Sequence, residues 1–493
     1  MSDAEVMKTY VRRYPATVFG LVFSLVVLTI SGCMVGPNYI PPQATAPVEW
    51  VGVAKASTGQ PTVVTASEPN LGQWWRQFND PALTVLVEDA VKSNLDLKSA
   101  AARLRQARAS KGVASGGLWP SIGVSGGYQR VQKTGASGDQ DLFQAGLDSV
   151  WELDVFGGRH RAVESADAGI DAAVEGMRAV QVSLTAEVAL NYIQLRSYQQ
   201  EIIIAQNNLK AQQQTAEITR KRFDVGFASA LDVANADSTV ATTEAQIPVY
   251  EISERQAIYS LSVLLALPPA DLLKQLSPRG TLPSVPTEVP VGLPSDLLRR
   301  RPDIRESEAQ LHAATAQIGV AIANYFPTFP LTGAISWNSN LLQNWLDSSS
   351  RSFGIGPSVS WQVFQGGAIE SNVHVQEALR DQAFIAYQKT VLAAFQDVEN
   401  ALIAFAKEQQ HRKSLNDAVV ANRKAVTLSL QLYTEGQTDF LNVVTAQRSL
   451  YSTEDALVQS NCKIAIDLIA LYKALGGDVE TLSSRSLTSS KGQ

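Results

Sequence analysis

The residues best suited to chemistry in this 493-residue chain are two cysteines, Cys33 and Cys462, and four histidines. His160, His312, His374 and His411 lie far apart, without the close ligand spacing that a zinc site needs. Past the first 33 residues only Met34 and Met177 carry a thioether, too few to relay a soft metal. No Gly-x-Gly-x-x-Gly, no Walker sequence and no Gly-x-Ser-x-Gly elbow occurs. Enzyme chemistry therefore has no foothold, and no cofactor or metal is expected. A net charge of −6 gives no electrostatic footprint for nucleic acid, and the cluster Arg299-Arg300-Arg301 is too short to change that. With Pro302 it reads most simply as a helix start with surface ion pairs.

The chemistry that remains is covalent modification of Cys33. Lys8, Arg12 and Arg13 form a basic front, and Val18 to Ile30 follows as a mostly apolar run too short to span a bilayer stably. It ends in Ile30-Ser31-Gly32-Cys33, which is similar to a bacterial lipobox, so a covalent lipid on Cys33 is expected. The competing reading is a simple secretory peptide with a chance cysteine. If Cys33 carries lipid, Cys462 has no intramolecular partner and should be an inert helical thiol.

The elements that position everything else are very long helices. Ala368 to Glu435 contains neither glycine nor proline and is dominated by residues that tolerate a helix interior. As one helix it spans about 100 Å. Gly366-Gly367 precedes it and Gly436 follows it, as helix terminators do. A second long helix is expected from Gly157-Gly158 to about Phe223, broken at Gly226 and followed by another from about Leu231 to Leu267. Shorter helices are expected through Leu83 to Ala90, from Leu95 to Leu118 and from Asp303 to Asn324. A last one runs from Gly436 to Leu475.

The halves repeat. Leu118-Trp119-Pro120 matches Tyr325-Phe326-Pro327, Val155 to Gly158 matches Phe364 to Gly367, and Gly226 with Leu231-Asp232-Val233 matches Gly436 with Leu441-Asn442-Val443. Each half reads helix, strand, strand, long helix, glycine turn, helix. Val188, Leu195, Ile202, Leu209, Ala216 and Phe223 recur every seventh residue, and so do Val398, Phe405, Arg412, Val419, Val426 and Tyr433. That strict heptad predicts left-handed supercoiling, with Arg412 its one break. The boundaries that follow are 1–32 signal, 33–70 extended linker, 71–267 first repeat, 268–294 proline-rich connector, 295–477 second repeat and 478–493 disordered tail.

Four strands are expected, Ser121 to Gln132, Leu142 to Val155, Thr328 to Trp337 and Ser352 to Phe364. In the last, Phe353, Ile355, Val359, Trp361 and Val363 alternate with polar or small residues, a period of two with one apolar face. Trp119, Trp151, Trp337 and Trp361 fall near strand ends, where a membrane girdle would sit. A soluble sheet packed on a core gives the same alternation; the export signal favours the membrane. Four strands cannot close a barrel, and an open edge in lipid is prohibitively costly, so several copies must share one. Two would give eight strands filled by side chains, and three would give twelve with a lumen.

The lipobox, Val35-Gly36-Pro37-Asn38-Tyr39-Ile40-Pro41-Pro42, Leu297-Leu298-Arg299-Arg300-Arg301-Pro302-Asp303-Ile304 and the duplicated glycine turns together resemble the outer-membrane factor family. More closely, they resemble TolC-like lipoproteins of resistance-nodulation-division (RND) efflux systems, the NodT-type branch. The resemblance covers essentially all of the mature chain. It implies a mainly α fold with membrane β, a homotrimer with a shared twelve-stranded β-barrel in the outer membrane and a long periplasmic α-helical barrel. It also implies a periplasmic adaptor and an inner-membrane RND pump as partners. Function would then be passive, gated export of small toxic compounds. A protein-secretion duct working with an ATP-driven transporter, and a non-conducting envelope-spanning coiled-coil lipoprotein, are the alternatives.

The resemblance places the gate at the two turns, Arg222 to Val233 and Tyr433 to Val443. A ring of Leu441 side chains would dewet the axis. Asp232, Asp439 and Asn442 would supply a polar ring or helix ties, with Arg222 and Tyr433 as partners. Gly226, Leu231, Gly436 and Phe440 would shape the turns that the adaptor meets. A plainer reading of Ser229-x-x-Asp232 and Asp439 is as helix caps. Some family members carry an acid where this chain has Thr445.

Overall fold

The computed structural model describes residues 34–43, 46–52, 63–65, 67, 71–132 and 139–477, so the expected signal segment, Cys33 and the tail from 478 lie outside the described residues. The chain divides into two units. One comprises residues 1–42, 104–173 and 307–387, and the other residues 43–103, 174–306 and 388–493.

Element order follows the duplication. After a short strand β1 (Val63–Thr65), helices α1 (Pro81–Ser93) and α2 (Leu95–Gly116) lead into strands β2 (Ser121–Gln132) and β3 (Asp139–Leu153). The long helix α3 (Gly158–Asp224) and helix α4 (Ala230–Leu264) complete the first repeat. The connector carries a single helical turn α5 (Leu273–Leu276), strand β4 (Glu288–Pro290) and helix α6 (Pro294–Arg300). Helix α7 (Pro302–Ala323), strands β5 (Phe329–Ser339) and β6 (Arg351–Pro357), the long helix α8 (Ala368–Thr434) and helix α9 (Phe440–Ala474) form the second repeat. Both long helices have 67 residues, and α4 and α9 both have 35. The duplication is thus held to the residue in these four helices. No described helix is both long and apolar enough to cross a membrane.

In the first unit, β2, β3, β5 and β6 form one antiparallel sheet in that order. Register sorts the faces. Val124, Leu147, Ile335 and Phe353 align across all four strands on one face, while Ser125, Gly146, Ser336 and Ser352 align on the other. Because neighbours across an antiparallel pair share a face, one surface is apolar and the other is polar or small. The apolar row is exposed in the single chain, with Val124, Leu147, Ile335 and Phe353 all accessible. Trp151 Nε1 donates to Leu118 O at 2.9 Å, and Trp361 Nε1 donates to Tyr325 O at 3.0 Å. The repeat therefore extends to equivalent hydrogen bonds at the helix–strand junctions. Strand β6 is shorter than the sequence pattern predicts. Beyond Pro357 the two strands still meet, with Ser358 N donating to Pro330 O at 2.9 Å and Thr328 bridging Ser360, but Pro330 of β5 has no N–H to complete its pair with Ser358.

The segment after Cys33 is bound tightly in the same unit. Val35 N donates to Phe156 O at 3.1 Å. Arg161, almost fully buried, donates to Val35 O, Gly36 O, Asn38 Oδ1 and Glu164. Gly36 has φ +87°, and a Cβ there would lie 2.5 Å from Gly319 Cα, so only glycine fits. Tyr39 stacks on His312 at 4.3 Å, and His312 meets Glu164 at 3.0 Å. The Gly-Pro-Asn-Tyr motif is a clasp.

The second unit holds the main core, where Trp74, Phe78, Leu83, Tyr192, Leu195, Leu261 and Tyr472 are buried. The heptad positions Val188, Leu195, Ile202, Ala216, Val398, Phe405, Val419 and Tyr433 are buried as expected. Phe223, at the end of its series, is exposed.

Candidate functional site

The site is built from two helix ends. At the end of α3, Gly226 takes φ +79°, its N–H reaches Phe223 O at 2.9 Å, and Phe227 N reaches Arg222 O at 2.7 Å. At the end of α8, Gly436 takes φ +74°, its N–H reaches Tyr433 O at 3.0 Å, and Gln437 N reaches Leu432 O at 2.8 Å. This paired pattern closes a helix through a left-handed residue, and glycine is there because it adopts that conformation without penalty.

The acids part company. Asp232 is locked in the cap of α4: its N–H donates to Ser229 Oγ at 3.1 Å and its carboxylate accepts from Ser229 N at 2.9 Å. That is a reciprocal capping box, the plainer of the two readings of this residue. Asp439 is the N-cap residue of α9, the counterpart of Ser229 rather than of Asp232, but its side chain makes no cap hydrogen bond and is exposed. Asn442 Nδ2 donates to Thr438 Oγ1 at 2.7 Å, and Thr445 Oγ1 to Leu441 O at 2.8 Å.

Arg222 joins the two turns, with a partner other than an acid. Its guanidinium lies over the Tyr433 ring at 4.7 Å, and Nη1 donates to Thr434 O at 3.0 Å. Thr434 ends α8, where free carbonyls and the helix dipole favour a cation, so ring, carbonyl and dipole act together. Tyr433 is buried beside Phe440, with ring centroids 5.3 Å apart, in a cluster with Ala216, Ala236, Val443 and Val444. Phe440 therefore supports the turn from within. The outer surface belongs to Val225, Phe227, Leu231 and Leu441, each about two-thirds or more exposed. Val225 and Phe227 were not singled out from sequence; the signal was a bulky apolar residue on each side of a turn glycine, where polar residues usually stand.

Further along the helices, polar pairs tie the first-repeat helices to α9. Gln447 Nε2 donates to Thr215 Oγ1 at 2.8 Å, Asn208 Nδ2 to Glu454 Oε2 at 3.1 Å and Tyr250 OH to Asp455 Oδ1 at 2.8 Å. Near the last pair lies Glu201, which is buried; burial, then the Asp455 charge, push its carboxyl up to about 7. Cys462 is buried in α9 and its thiol is pushed up to about 11 by burial, which makes it a poor nucleophile at neutral pH. Among the described residues no group of three or more His, Cys, Asp or Glu side chains could hold a metal ion.

Comparison with known proteins gives consistent relatives. The family described as "Outer membrane efflux protein" matches residues 86–267 and again 293–477, once per repeat. Nodulation protein T of Rhizobium leguminosarum bv. trifolii is 31% identical over 464 residues, covering 93% of this chain and 97% of that one. The toluene efflux pump outer membrane protein TtgC of Pseudomonas putida is 32% identical over 466 residues, covering 93% of this chain and 95% of that one. Among solved structures, the outer-membrane channel OprN superposes with a TM-score of 0.83 at 36% identity, over 90% of this chain and 99% of that one.

Proposed function

This chain belongs to the outer membrane efflux protein family, and on that premise we propose that it is the outer-membrane duct of a tripartite RND-type pump. Three copies pool their strands into one twelve-stranded barrel, and the duct passes small toxic compounds outward without a reaction of its own. The observation that carries this reading is the sheet. It has four strands, the outer two unpaired along their far sides among the described residues, with one apolar and one polar face. Unpaired backbone is not tolerated in lipid, so such a sheet has to be completed by other copies.

Helices α3 and α8, at about 100 Å each, exceed a bilayer's hydrocarbon core roughly threefold and so belong to the periplasm. The paired turns form the gate and the docking surface. Leu441 supplies an apolar constriction, Asp439 and Asn442 a polar collar, and Arg222 on Tyr433 the latch. Gly226 and Gly436 hold the turns open to an adaptor whose apolar side chains meet Phe227 and Leu231. Cys33 carries the lipid: the clasp on residues 35–39 supports a fixed anchor directly after that cysteine.

Deleting the gene in a strain without redundant channels should sensitise cells to small toxic compounds, and the Leu441→Ala protein should restore resistance. Unchanged susceptibility on deletion would count heavily against this reading.

A further inference from the structure

Arg412 is the charge that interrupts the heptad seam of α8, and neither gate nor core explains it. It lines a cavity of about 540 Å³ together with Ser197 and Gln200 of α3, Asn461 and Ile464 of α9, and connector residues 281–285 and 287. The connector is fastened over this space: Arg196 Nη1 donates to Pro278 O at 3.0 Å, Gln200 Nε2 to Gly280 O at 3.0 Å, and Gly280 N to Gln199 Oε1 at 3.2 Å.

Among the described residues, Arg412 is the sole charged one lining the cavity. It is half-buried and makes no ion pair or hydrogen bond with any described residue. The carboxylate that helix register brings nearest is Glu408, one turn back, and it is already engaged. Ser460 Oγ reaches it at 2.5 Å and His411 Nδ1 at 3.0 Å. A partly desolvated guanidinium without a counter-ion is an unfavourable arrangement that a bound anion relieves. Its planar fork matches a carboxylate, with two parallel N–H···O bonds. The Asn461 amide, and the side-chain oxygen of Gln200 whose Nε2 is held by Gly280 O, suit peptide groups, and Ile464 suits a short aliphatic side chain. The volume is in the range of small-molecule sites.

We propose that this cavity binds a short peptide through its free C-terminal carboxylate, with Arg412 as the anchoring cation. The site lies apart from the turns and would report on peptides in the compartment around the helices.

Titration calorimetry on the full-length oligomer in detergent tests this, with N-acetyl-Ala-Ala as the free acid and as its C-terminal amide. The acid should bind, and the amide about tenfold more weakly or worse, as expected for loss of a charged hydrogen bond. Arg412→Gln should show the same loss for the acid, and Arg412→Lys should keep part of the affinity. Arg412 has no bond to another described residue to break, so the Gln variant should keep the oligomer's size and helicity. Equal binding of acid and amide, unaltered binding by Arg412→Gln, or no binding at millimolar concentration would each overturn the proposal. So would dissociation of the Arg412→Gln oligomer, which would assign the guanidinium to a neighbouring copy.

Discussion

In the proposed gate Arg222 and Leu441 take opposite parts, and their substitutions should separate. Removing Arg222 with Gln deletes a ring contact and a charged hydrogen bond between the turns. That should loosen the tip by about 1–3 kcal/mol. Leu441 is exposed in the single chain, so Leu441→Ala should leave folding within about 0.5 kcal/mol of the parent. Both changes should raise conductance in planar bilayers, but only Arg222→Gln should lower Tm, and a rise in neither would remove the gate from these turns. Glu201 gives a pH signature. Its folded carboxyl, near 7, lies above the ordinary carboxylate range near 4.3, so the folded state favours the neutral acid. Stability from this group is full below about pH 4 and falls as pH rises toward and through 7, by on the order of 2–3 kcal/mol. Tm should therefore decline over that window in the parent, and Glu201→Gln should flatten the decline; an equal slope in both would contradict it. Sequence alone exposed the turn glycines and the capping box at Ser229, because caps are local. It could not reveal that Arg222 faces Tyr433, or that Glu201 meets Asp455, because those depend on how helices far apart in the chain are rotated against each other.

The long helices owe their packing to the heptad series and their ends to glycine. Phe405 is fully buried in α8, and Phe405→Ala should cost about 3–5 kcal/mol, measured as loss of unfolding midpoint in denaturant. Gly226→Ala and Gly436→Ala should each cost about 1 kcal/mol, purely from the left-handed backbone, since an added Cβ meets nothing closer than 3.9 Å at either position. A loss much above that would point to a backbone contact made in the assembled protein. Helices and strand starts were legible because periodicity is strong over many residues. The end of β6 was not: the apolar alternation continues past Pro357, while the N–H missing from the ladder belongs to Pro330 on the neighbouring strand, outside the pattern that β6 itself carries. The composition of the N-terminal segment reads as an extended linker; its clasp by Arg161 leaves no local signal because the partners lie more than a hundred residues apart. Arg161→Ala should free residues 35–39, detected as faster proteolysis at that segment with the helices intact.

At the scale of the whole molecule, one chain provides a sheet that ends in two open edges and, among the described residues, an apolar face left uncovered. Membrane burial of that sheet and closure by identical copies follow from the same hydrogen-bond requirement. With four strands each, three copies give a barrel wide enough for a lumen, whereas two give one filled by side chains. The mass of the protein extracted from membranes in mild detergent, determined by native mass spectrometry, tests this most directly. The account predicts three chains per particle, each carrying the added mass of lipid. Particles of one or two chains would contradict it.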